Sequence, residues 1–116
     1  MGKSPEIWFN GRCSKCRQAL ETLEARNLAP TVVRYLEDTP SEARLREVIG
    51  LLGGRAIDLV RTTEAVFGEL GLSRDSSDDA LVAAMVAHPV LIQRPVVIHQ
   101  GKAVIARPVD RLEDVL

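Results

Sequence analysis

The sequence predicts an α/β fold: a βαβ unit and a ββα unit around one mixed sheet, with a helical insertion between the halves at about residues 39–90. Three observations carry that expectation. Runs rich in β-branched and aromatic residues stand near the two ends of the chain. They are Ile7-Trp8-Phe9 and residues 31–36 at one end, and residues 96–99 and 102–106 at the other. The middle instead carries apolar residues at helical spacing. Both cysteines, Cys13 and Cys16, fall in the first turn from strand to helix.

Each element follows from local chemistry. Ile7-Trp8-Phe9 is a short continuous apolar run, the pattern of a strand buried on both faces. Residues 14–27 place Cys16, Ala19, Leu20 and Leu23 on one helical face, with Glu21, Glu24 and Arg26 elsewhere. Residues 31–36 read as the second strand, completing a right-handed βαβ unit. Thr39 then serves as a helix cap, with Pro40 at the first position and Glu42 completing a capping box. Leu45, Val48, Ile49 and Leu52 form the inward stripe of that helix, and Gly53-Gly54 ends it. Residues 55–72 are less regular, with helical turns at 56–60 and 63–70. Residues 73–79 read as a loop, with Ser76 or Ser77 capping a helix whose inward face holds Leu81, Ala84, Met85 and His88. Pro89 marks its end. Residues 96–99 and 102–106, joined by Gln100-Gly101, read as a hairpin. Pro108 opens a terminal helix with Val109, Leu112 and Val115 inward. A Cys at the first strand–helix turn and a Pro opening the third strand make this order thioredoxin-like.

The chain has 116 residues, which predicts a single domain over 1–116. Fifteen basic and sixteen acidic residues give a formal net charge of −1, which argues against holding nucleic acid directly by bulk charge. The first residues, Met-Gly-Lys-Ser-Pro-Glu, show no apolar segment of signal-peptide length, and no run is long enough for a membrane helix. The expectation is a cytoplasmic protein with no membrane partner. In such a reducing compartment a C-x-x-C pair reads as redox chemistry rather than as a structural staple.

Cys13 is the candidate nucleophile. A cysteine at the first turn of a helix faces unpaired N–H groups and the positive end of the dipole, which favours thiolate. Arg12, Lys15 and Arg17 add positive charge beside it. Cys16, one turn further, is read as protecting Cys13 in a disulfide, as resolving an intermediate, or as packing. Asn10 is read as orienting the turn through side-chain-to-backbone hydrogen bonds, with Arg12 and Arg17 beside it. Arg94 precedes Pro95 at the start of a buried strand, where a charge needs a partner. No metal site is expected: His88 and His99 are isolated, one read as packing and the other as exposed, and the acidic run 75–79 lacks calcium-loop spacing.

Together these motifs resemble a known family, the glutaredoxin-coupled, ArsC-type arsenate reductases within the ArsC/Spx group. The resemblance rests on Phe9-Asn-Gly-Arg-Cys13-Ser-Lys-Cys-Arg17, Tyr35-Leu-Glu-Asp-Thr-Pro40, Leu59-Val-Arg61, Glu69-Leu-Gly-Leu72, the segment from His88 through Arg94-Pro95-Val-Val, and Arg107-Pro108. It implies that Cys13 attacks arsenate, that Arg61, Arg94 and Arg107 hold the oxyanion and its covalent adduct, and that the Arg94–Pro95 bond is cis. It implies no bound cofactor, with glutathione as co-substrate and glutaredoxin as the partner that resolves the mixed disulfide. Phe9-Asn10-Gly11 stands where the family commonly has His-Asn-Pro. Cys16 stands where many members have Ser, and C-x-x-C here is also a mark of Spx-type regulators. The rival readings are therefore a redox sensor switching through a Cys13–Cys16 disulfide with RNA polymerase as partner, and a general thiol–disulfide oxidoreductase. The arginine trio favours the enzyme, because a switch needs no oxyanion site.

Overall fold

The structure, a computed structural model, describes residues 4–116. Residues 1–3, on which the reading of the N-terminus partly rests, lie outside the described residues. The chain divides into two compact units, one of Met1–Asp38 with Arg94–Leu116 and one of Thr39–Gln93.

The first unit is built on four strands. They are β1 (Glu6–Trp8), β2 (Thr31–Val33), β3 (Val96–His99) and β4 (Lys102–Ile105), in the order β2-β1-β3-β4. β1 runs parallel to β2 and antiparallel to β3, and β3 pairs antiparallel with β4, so the sheet is mixed, as expected. Register sets the core. Ile7 stands opposite Val97, and Val97 opposite Val104. That row of side chains shares one face of the pleat and packs with Cys16, Ala19 and Leu23 of helix α1 (Ser14–Ala25) and with Leu112 and Val115. Trp8 is fully buried, and its indole N–H donates to a Glu6 carboxylate oxygen at 2.8 Å.

Several boundaries in this unit differ from expectation: β1 is shifted by one residue to Glu6–Trp8, β4 ends at Ile105, and three others differ for a visible reason. α1 stops at Ala25 rather than Asn27. Asn27 takes φ 59°, and the N–H groups of Asn27 and Leu28 donate to the carbonyls of Glu24 and Leu23, closing the helix end with an αL residue. β2 stops at Val33, because the Arg34 carbonyl accepts N–H groups from both Glu37 and Asp38 and turns the chain. The terminal segment Val109–Asp114 is a 3₁₀ helix with Pro108 outside it as the cap. The hairpin follows the sequence closely. Gln100 and Gly101 sit at φ 53° and 77°, the left-handed pair whose twist matches the strands. His99 is a correction: it is buried, not exposed. It shares its face with Val97, two residues earlier on β3, and its Nδ1 lies 2.7 Å from the Val115 carbonyl oxygen.

The second unit is helical. It holds α2 (Glu42–Leu51), a 3₁₀ turn at Ala56–Leu59, α3 (Ala65–Glu69), α4 (Asp78–Ala87) and a 3₁₀ turn at Pro89–Leu91. α2, α4 and the Ala56–Leu59 turn pack together, with Leu45, Val48, Leu81 and Met85 buried. The cap of α2 differs from expectation. Ser41, not Thr39, is the N-cap, and its hydroxyl accepts the Arg44 N–H at 3.1 Å. Glu42 therefore sits at the first helical position, where its charge meets the positive end of the dipole. Ser77 caps α4 by accepting the Ala80 N–H. His88 is not on the face of that helix. A residue before proline disfavours the α conformation, and His88 takes φ −135° and ψ 79°. Val60 and Ile92 form a β-bridge, with the Arg61 N–H donating to the Leu91 carbonyl and the Gln93 N–H to the Leu59 carbonyl. Among the described residues, no helix is long and apolar enough to cross a membrane.

Candidate active site

The turn between β1 and α1 is shaped by short polar contacts. The Asn10 side-chain oxygen accepts the Arg12 N–H at 3.0 Å, and the Asn10 carbonyl accepts the Cys13 N–H at 3.0 Å. The Arg17 guanidinium reaches back and donates to the Gly11 carbonyl at 2.7 Å. This leaves Cys13 in an extended conformation as the N-cap of α1, with Cys16 at the third helical position. Cys13 is 7% exposed and Cys16 fully buried, and both are free thiols.

The two sulfurs experience opposite environments. Burial works against a Cys13 thiolate, but the Cys16 N–H, the Cys16 thiol and the Arg94 guanidinium outweigh it and lower Cys13 from 9.0 to about 7. The Cys13 side chain makes no conventional cap hydrogen bond. A large, soft thiolate still draws stabilisation from the N–H at the third helical position, because that group has no partner inside the helix. Burial is the main reason that Cys16 is pushed up to about 12, and the neighbouring Cys13 pushes in the same direction. The pair thus divides into one thiol that ionises near neutrality and one that stays protonated.

Two arginines converge on Cys13. Arg107 Nη1 donates toward the Cys13 sulfur at 3.8 Å and to the Arg94 carbonyl at 3.3 Å. Arg94 is half-buried. Burial opposes its charge, but its hydrogen bond with Cys13 and its proximity to Tyr35 hold it above its ordinary value. Its Nε is buried without a hydrogen-bond partner. The bond from Arg94 to Pro95 is cis, as expected, and so is the bond from Arg107 to Pro108. Pro95 is buried and leads directly into β3.

The first unit therefore brings together Cys13, Cys16, Arg94 and Arg107. Arg61 belongs to the second unit, where it follows the Val60–Ile92 bridge and also carries a buried Nε with no partner. One expectation about electrostatics is corrected. Arg12 and Arg17 are exposed, and Arg17 is turned back onto Gly11; the groups that lower Cys13 are the Cys16 N–H, the Cys16 thiol and Arg94.

From the sequence Tyr35 reads as a strand residue and as part of the motif that carries the resemblance, with no site role, yet it stands in the same neighbourhood. It is fully buried, and burial pushes its hydroxyl up, opposed by the Arg94 charge and by a hydrogen bond with the Asn10 side chain. The available signal was a phenol within a strand-like segment, since a buried tyrosine hydroxyl needs a partner. Among the described residues, no group of three or more His, Cys, Asp or Glu could hold a metal ion.

A protonated buried thiol, a thiolate-forming cysteine and guanidinium donors suit nucleophilic attack on an oxyanion. The chain is also similar to known proteins. The sequence matches the ArsC family over residues 8–115. It is 41% identical over 113 residues to an arsenate reductase of Neisseria meningitidis, covering 96% of this chain and 97% of that protein. It is 45% identical over 116 residues to an uncharacterized protein in the glnII region of Streptomyces viridochromogenes, covering 96% and 98%. Among solved structures, an arsenate reductase from Vibrio cholerae superposes with a TM-score of 0.94 at 39% identity, covering all of both chains. The α/β, thioredoxin-like architecture is the one this chain shares with that structure.

Proposed function

Because this chain belongs to the ArsC family, we propose that it is an arsenate reductase in which the Cys13 thiolate is the nucleophile. One observation carries the proposal: Cys13 is lowered to about 7 while two guanidinium groups, Arg94 and Arg107, stand at its sulfur. Near neutral pH about half of such a thiol is ionised, so the nucleophile exists without a dedicated general base.

In the proposed reaction the thiolate attacks the arsenic of arsenate. An As–O bond breaks, water leaves, and a Cys13–S–As(V) adduct forms. Its negative oxygens require fixed positive charge, and a planar guanidinium supplies two parallel donors that remain charged. The unpartnered Nε of Arg94 is a donor of that kind. Arg61 joins the set on the family resemblance, with an unpartnered Nε of its own. Glutathione thiol then attacks the Cys13 sulfur. The S–As bond breaks, its electron pair reduces arsenic, arsenite leaves, and Cys13 is left as a mixed disulfide with glutathione. Glutaredoxin accepts the glutathione and frees Cys13. No cofactor is bound in this cycle, which runs in the cytoplasm, where glutathione is reduced.

NADPH-coupled arsenate reduction with glutathione, glutaredoxin and glutathione reductase tests this reading. Wild type turns over, and Cys13→Ser abolishes turnover. Arg94→Ala loses a factor of about a hundred or more, the usual scale for removing one preorganised charge donor. Turnover retained in Cys13→Ser would reject the mechanism. A second reading, a redox sensor acting on RNA polymerase through a Cys13–Cys16 disulfide, is favoured by the paired thiols and disfavoured by the two arginines at Cys13.

A further inference from the structure

We infer that Cys16 is the resolving thiol: it attacks the Cys13 sulfur of a Cys13–glutathione mixed disulfide and closes a Cys13–Cys16 bond. This step takes the place of direct glutaredoxin attack on the mixed disulfide in the cycle above, so that the reductant needed is a dithiol that reduces an internal disulfide. The inference rests on the proposed reactivity of Cys13. The family resemblance by itself implies no second cysteine in the chemistry.

Position is the first ground. Cys13 is the N-cap of α1 and Cys16 the third helical residue, a spacing that stacks two side chains on one helix face. Access is the second. Cys16 has no exposed surface and packs among Ile7, Phe9, Ala19 and Val97. An external electrophile cannot reach it, but one attached to Cys13 arrives beside it. Chemistry is the third. The Cys16 thiol and its backbone N–H both favour the Cys13 thiolate, so the two sulfurs act on each other directly. While Cys13 is a thiolate, the neighbouring negative charge and burial both keep Cys16 protonated. Once Cys13 is bonded to another sulfur, that charge is gone, and of the two effects that oppose a Cys16 thiolate only burial remains. The pair is therefore ordered in time: Cys13 reacts first, and its reaction releases the second thiol.

The step balances. Cys16 loses its proton, and its sulfur forms a bond to Cys13 Sγ. The Cys13–glutathione S–S bond breaks, and glutathione leaves as a thiolate that takes up the proton. One disulfide is exchanged for another without an added oxidant.

The test needs no arsenate, so its failure is separate from failure of the substrate assignment. Reduced wild type, Cys16→Ala, Cys16→Ser and Cys13→Ala are each treated with oxidised glutathione, quenched in acid and weighed intact. Wild type is expected to end as an internal disulfide carrying no glutathione. Cys16→Ala and Cys16→Ser are expected to stop with one glutathione on Cys13. Cys13→Ala is expected to remain unmodified, because Cys16 is out of reach. Wild type that ends as the mixed disulfide with no internal disulfide overturns the inference, and that arm does not depend on a variant folding. Glutathione on Cys16 of Cys13→Ala would also overturn it.

Discussion

Cys13 and Cys16 are the same residue type three positions apart, yet one is lowered to about 7 and the other raised to about 12. The difference comes from neighbours rather than from identity. Cys13 at the helix cap collects an N–H, a thiol and a guanidinium, whereas Cys16 one turn deeper meets apolar side chains and the Cys13 charge. Arg94→Ala should therefore move the alkylation midpoint of Cys13 upward, while Arg12→Ala and Arg17→Ala leave it in place. Iodoacetamide rates against pH measure all three, and an upward shift in Arg17→Ala equal to that in Arg94→Ala would refute the assignment. The reactive residue was legible from the sequence, because a cysteine between a strand and a helix carries its own reason. The cause of its reactivity was not. Arg94 lies far along the chain, and the nearby cations that the sequence offers are exposed or turned back onto the loop.

Among the elements, caps and turns show where reading by pattern succeeds and where it slips. Gln100-Gly101 and Gly53-Gly54 were found because their backbones need positive φ, and glycine advertises that need. The α2 cap slipped by two residues, because Thr39 and Ser41 are both capping types and only the hydrogen bond to Arg44 decides between them. Ser41→Ala should accordingly destabilise the protein by about 1 kcal/mol, while Thr39→Ala changes stability far less. Urea denaturation of the two variants measures the difference, and the reverse order would place the cap at Thr39. β2 and the terminal segment were read too long for a related reason. Composition marks a propensity, but the Arg34 carbonyl bonds and the 3₁₀ geometry after Pro108 end or reshape those segments. His99 was misread because its place beside the turn suggested exposure, whereas it lies two residues from the buried Val97 and shares its inward face.

For the whole molecule, the element order was enough to give the class. The strand-like runs near the two ends of the chain form one mixed four-stranded sheet, and the helical spacing between them becomes α2, α3 and α4. The two thiols also leave a mark on global stability. Cys13 in the fold lies below its ordinary 9.0, so its contribution is fully present above pH 9 and is lost as pH falls toward about 7. Cys16 lies above the same ordinary value, so the fold resists its ionisation, and stability falls as pH rises from 9 toward about 12. Cys16→Ala removes the second effect and weakens the first, because the Cys16 thiol is one of the groups that lower Cys13. Above pH 9 its urea midpoint should decline less steeply than that of wild type, since only the buried Tyr35 hydroxyl then resists ionisation, and parallel curves would show that Cys16 is not held protonated by the fold. The reading of the protein as a cysteine-based reductase depends above all on the state of Cys13. Its rate of alkylation by iodoacetamide, followed by mass across pH, tests that state directly. A midpoint of about 7 with Cys16 unlabelled is the expected result. A midpoint at the ordinary 9.0 would show a thiol that the fold does not activate, and the nucleophile would have to be sought elsewhere.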